Sequence, residues 1–121
     1  PAFGAPTART FALATAYRCS DPTKPCLLTI TLQAQSSISL AGASNNEGVI
    51  VTGPTAAGGT GTTVATFKNN LGGTLVVGLN LTSQQANTYT VALSAGHYLA
   101  IRQTAGTGLQ VLSVYEQILG A

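Results

Sequence analysis

The sequence predicts an all-β domain, an antiparallel β-sandwich of jelly-roll type with about 8–9 short strands. Three observations lead there. Most segments alternate apolar and polar side chains with period two, as in a strand buried on one face. Turn residues interrupt them every 8–12 residues or so, the spacing of a sandwich or barrel. No stretch sustains the periodicity of an amphipathic helix. An immunoglobulin-like sandwich is the runner-up, weakened because tryptophan is absent and the two cysteines are close in sequence.

The 121 residues suit one domain with one core. Residues 1–10 (PAFGAPTART) carry two prolines and read as an extended N-terminal arm. Residues 11–121 read as a single sandwich. In an assembly the arm is expected to lie along a neighbour, anchored by Phe3. If Pro1 follows a removed initiator methionine, the chain is a complete small protein.

In order, 11–17 (FALATAY) reads as a half-buried strand, and 19–26 (CSDPTKPC) as a turn begun by Asp21-Pro22. Residues 27–35 (LLTITLQAQ) alternate most clearly, with Leu28, Ile30, Leu32 and Ala34 on one face and Thr29, Thr31, Gln33 and Gln35 on the other. Residues 37–41 repeat the alternation, 42–48 read as a polar loop and 49–52 as a short strand. The glycine-rich run 55–61 reads as a loop tip, and 62–68 as a strand. Residues 73–81 (GTLVVGLNL) are apolar at nearly every position and read as a central strand buried on both faces. Strands at 87–93 and 97–103 flank a tight hairpin-like turn at Ser94-Ala95-Gly96. Residues 109–119 form the last strand.

Charge is scarce. Only 7% of residues are Asp, Glu, Lys or Arg, against roughly 25% in an ordinary soluble domain. A surface of Thr, Ser, Asn and Gln, or one covered by neighbouring subunits, accounts for that; both are common in shells and fibres. Arg9, Arg18, Lys24, Lys68 and Arg102 are scattered, so no basic patch tracks phosphates and no nucleic-acid partner is expected. No apolar run is long enough for a membrane helix, and no membrane insertion is expected.

Catalytic patterns are weak. The carboxylates are Asp21, Glu47 and Glu116, far apart in sequence, whereas glycoside hydrolysis needs two within a few ångströms. His97 is the one histidine and reads as a surface or interface residue. No G-x-S-x-G motif, zinc-ligand spacing or phosphate-binding loop is present. No enzyme activity, cofactor or metal is expected. Cys19 and Cys26 enclose six residues, a loop that a disulfide can span. In a reducing cytoplasm they are expected as free thiols.

Three stretches carry a resemblance: Arg9-Thr10-Phe11-Ala12-Leu13-Ala14-Thr15-Ala16-Tyr17 with Asp21-Pro22-Thr23-Lys24-Pro25; Gly73-Thr74-Leu75-Val76-Val77-Gly78-Leu79-Asn80-Leu81; and Ala95-Gly96-His97-Tyr98-Leu99-Ala100-Ile101-Arg102-Gln103-Thr104. In this order, from about Arg9 to Val114, the chain resembles small β-domain virion proteins of tailed bacteriophages. The resemblance implies a virion component assembled in the bacterial cytoplasm, either a capsid decoration or a head-fibre or tail-fibre piece. Its partners would be itself, as a homotrimer, and other virion proteins such as capsid or tail. Phe3, Phe11, Ile118 and Leu119 are the expected subunit contacts. The alternative is a receptor-binding tip that recognises the host surface through loops, with Asn45, Asn46, Gly58 and Gly59 facing the partner.

Overall fold

A computed structural model describes residues 4–39, 42–55, 61–69 and 81–120. Among them nine strands follow one another: β1 (Thr7–Arg9), β2 (Ala16–Tyr17), β3 (Cys26–Ser39), β4 (Gly42–Ser44), β5 (Asn46–Gly53), β6 (Thr62–Asn69), β7 (Leu81–Leu93), β8 (Tyr98–Ala105) and β9 (Gln110–Ile118). They form two antiparallel sheets. One runs β1-β9-β3, with β7 on the other side of β3 and β4 against the end of β3; the other runs β2-β8-β5-β6. The pairs β2–β8, β3–β7 and β5–β6 nest around the middle of the chain, and β3–β9 and β5–β8 set the nested pairs side by side. That is the wrap of a jelly roll, so the expected fold class holds.

The alternation read over 27–35 explains why β3 sits centrally. Leu28, Ile30, Leu32 and Ala34 are all at most 1% exposed. With Leu93 of β7 and Val114 of β9 from the same sheet, they form one buried cluster with Ile50, Phe67, Leu99 and Ile101 of the other. Each large side chain buried there contributes about 1.5–3 kcal/mol of transfer free energy. Beside β7, β3 keeps one register over thirteen pairs. Beside β9 it slips by one residue after Thr31, where β9 carries a bulge.

Several expectations need correcting. Residues 11–17 are not one strand: Leu13 and Ala14 turn, with Ala14 at φ 59°, and only Ala16 and Tyr17 pair. The positive φ aims the Ala14 amide at the Ile101 carbonyl, 2.8 Å away. The polar stretch 42–48 is largely strand, in β4 and β5. The turn at 94–96 is real, with Gly96 at φ 75°, but it links β7 of one sheet to β8 of the other and is not a hairpin. Residues 73–80 lie outside the described residues; Leu81 opens β7. The described part of the arm lies on its own chain: β1 pairs with β9, and the Gly4 amide donates to the Ile118 carbonyl. That pairing uses one side of β1, the outermost strand of its sheet.

The cysteines form a disulfide, which corrects the expectation of free thiols. The turn begun at Asp21, where Thr23 donates to the carboxylate from both its amide and its hydroxyl, brings Cys19 back to the start of β3. The Cα atoms of Cys19 and Cys26 then lie 6.0 Å apart, and both residues are buried, a separation that a disulfide spans. Closing so short a loop removes about 2.5 kcal/mol of unfolded-state entropy. The Cys19→Ser, Cys26→Ser double variant is expected to lose stability of that order in a denaturant titration. Thiol titration of the denatured, unreduced wild-type protein should find none; two reactive thiols would contradict the bridge.

Candidate functional site

The outward positions of β3 define a surface with no charged side chain. Thr29 stands between Thr90 of β7 and Tyr115 of β9, and Tyr115 is flanked on its other side by Ala8 of β1. Leu27 stands between Ala92 and Gln117, and Thr31 between Thr88 and Ser113. The Thr31 and Thr88 hydroxyls are 2.9 Å apart. Past the bulge, Gln33 stands between Ala86 and Gln110. No charged side chain stands in these four rows. Among the described residues, two of the three exposed large apolar side chains lie on β9: Tyr115, 46% exposed, and Leu112, 51% exposed. Leu112 is the extra residue of the bulge, left beside Ser113.

The charges are elsewhere. Glu47 and Lys68 pair across β5 and β6 at 3.9 Å, on the other sheet. Arg102 is exposed on β8, opposite Val49. The Arg18 guanidinium covers the Tyr98 ring at 5.2 Å from its centroid. Lys24 reaches the Gly120 carbonyl at the end of the sandwich.

Arg9 and Glu116 belong to the first sheet but turn away from its outer face. Glu116 is 2% exposed. Its carboxylate accepts from the Ser20 hydroxyl, from the Ser20 amide at 2.9 Å and from Arg9 Nη1 at 2.9 Å. Arg9 also donates to the Arg18 carbonyl and lies over the Phe11 ring, which stacks on Tyr17 at 4.1 Å. Burial alone would raise the Glu116 pKa, but the two Ser20 donors and the Arg9 charge outweigh it and hold the carboxyl below its usual value. Glu116 is thus an ionised tie between β9, β1 and the loop before β3. Cys19, Cys26 and Glu116 bring sulfur and oxygen within 4.8 Å of one another. With the sulfurs bonded to each other, neither is a thiolate ligand.

Buried amides tie the sheets at another point. Asn46 donates to the Gln35 carbonyl at 2.9 Å and accepts from the Gly108 amide at 2.8 Å and from Gln103 at 3.1 Å. Asn69 donates to the Ala34 carbonyl at 2.8 Å. Gly106, at φ 77°, passes so close that an added Cβ would lie 2.2 Å from the Asn45 carbonyl oxygen.

The residues singled out from sequence scatter over this frame. Phe3, Gly58 and Gly59 lie outside the described residues. Phe11 is 5% exposed and belongs to the core, so it is not free to contact a neighbour. Ile118 and Leu119 are half-buried at the end of β9, where the Leu119 amide donates to the Pro25 carbonyl. Asn45 is exposed, whereas Asn46 is a buried structural amide and not a partner-facing one. The structure assembles a surface that sequence reading had not singled out. Its signal was present: every outward residue of 27–35 is uncharged.

No family model matches the chain, and no curated protein matches it. Among solved structures it is similar to Eiger TNF from S. frugiperda, with a TM-score of 0.49 and 15% identity, over 96% of this chain and 69% of that one.

Glu116 has a folded-state pKa below its unfolded value. Its contribution to stability is complete above that value and lost as pH falls through the lower, folded one. Glu116→Gln is expected to cost about 2 kcal/mol at pH 7, with the gap from wild type narrowing below about pH 4. Denaturant titrations from pH 7 to pH 2 measure this; a gap independent of pH would contradict it.

Proposed function

We propose that this chain is a structural protein of a bacteriophage virion, an oligomeric capsid-decorating or fibre component held on the particle by subunit packing. The observation that carries the reading is the segregation of charge: the rows around β3 carry none, while Glu47, Lys68 and Arg102 stand on the opposite sheet. A broad uncharged face is covered without stripping water from ions, the most costly part of burying polar surface. The resemblance of residues 9–114 to small virion β-domains supports the same setting. The buried carboxylate serves the fold as well, since Glu116 is paired with Arg9 and Ser20.

Subunit packing in this reading uses the sheet face. The described part of the arm, Gly4 to Arg9, is already bonded along β9. Immunogold electron microscopy of particles purified from cells expressing the complete virion gene set tests the proposal. Gold on the particles is the expected result, confined to the shell for a decoration and to appendages for a fibre piece. A chain found only in the unassembled fraction would contradict it.

A further inference from the structure

We infer that the uncharged face of β1-β9-β3-β7 is where copies of this chain pack against one another, with Tyr115 and Leu112 as the anchors. The inference names the partner for the face on which the virion reading rests.

Size is the first argument. Strands lie about 4.8 Å apart and rise about 3.3 Å per residue, so eight residues each of β9, β3 and β7 with the three of β1 cover about 430 Å² of sheet plane. Side-chain relief adds to that, and a standard interface covers about 800 Å² per partner. The face therefore offers most of one stable interface.

Chemistry selects the occupant. A basic or acidic partner needs charge to meet its own, and the rows around Thr29 and Thr31 have none. Their polar groups are hydroxyls and carboxamides, as at Thr31, Thr88 and Gln33. Each of these both donates and accepts hydrogen bonds, unlike an ammonium or a carboxylate. A face built from them is complementary to itself, which is what a symmetric contact between identical subunits requires. It also meets its own copy with no like-charge repulsion.

The apolar anchors fit the same contact. Tyr115 stands in the row of Thr29 with the small Ala8 beside it, so its ring is the tallest group there. Tyrosine supplies large contact area with few rotatable bonds and is enriched at interface centres. Leu112 is lifted out by the bulge one strand position from Ser113. A leucine half in water gains from being covered.

Sedimentation velocity of the full chain, from about 1 to 100 µM, tests this. Wild type is expected to associate. Thr29→Lys and Tyr115→Lys should each weaken association at least about 100-fold, while Thr66→Lys on the outer side of the other sheet should leave it unchanged. Circular dichroism and the intact disulfide confirm that each variant is folded. A wild-type monomer throughout the range, or face variants that associate like wild type, would overturn the inference. Gold-labelled particles with a chain that stays monomeric would sink self-packing alone. A self-associating chain absent from particles would sink the virion reading alone.

Discussion

Most of this protein follows from where β3 is held. It pairs with β7 on one side and β9 on the other, in a register that sends every second side chain into the core. A slip of one residue would exchange Leu28, Ile30 and Leu32 for Leu27, Thr29 and Thr31. The core would then receive hydroxyls with no fixed partners, at a cost far above the few kcal/mol by which a small domain is stable. The same constraint makes the outer face. Once the even positions are committed to the core, the odd ones must be presented together, and their neutrality becomes a property of a surface rather than of isolated residues.

The ends of the sandwich are held by chemistry more than by packing. Near the start of β3 the Cys19–Cys26 bridge fixes the preceding loop, and that loop carries Ser20 to Glu116. Glu116 then holds Arg9, so the short β1 gains an ion pair in addition to its few backbone bonds with β9. Elsewhere Asn46 and Asn69 donate to β3 carbonyls from strands of the other sheet. Such bonds span the gap where no backbone pairing is possible, and each fixes the position of one sheet relative to the other.

The all-β class and the inward face of β3 were legible because they rest on local alternation. The turn at Ser94–Gly96 was legible for the same reason, through a glycine that accepts positive φ. What escaped were features set by distant partners. Phe11 looked like an interface residue until Tyr17 and Arg9 were seen around its ring. Asn46 looked like a loop amide, yet its partners are Gln35, Gln103 and Gly108, on three other segments. The pairing of Glu116 with Arg9 spans 107 positions, and no local pattern encodes it. The disulfide is set by the turn at Asp21, which brings Cys19 to the start of β3, and an expected compartment does not encode that geometry. The uncharged face was half visible, since 27–35 shows its neutral side, but the matching residues of β7 and β9 join it only through register.

The most direct measurement is hydroxyl-radical footprinting of the full chain at low and high concentration, read by mass spectrometry at Tyr115 and Tyr98. Tyr115 lies on the uncharged face and Tyr98 on the other sheet. The account predicts that Tyr115 labelling falls as concentration rises, while Tyr98 labelling stays constant. Equal labelling of Tyr115 at both concentrations, with the chain shown to be associated, would place the contact elsewhere and contradict the central claim.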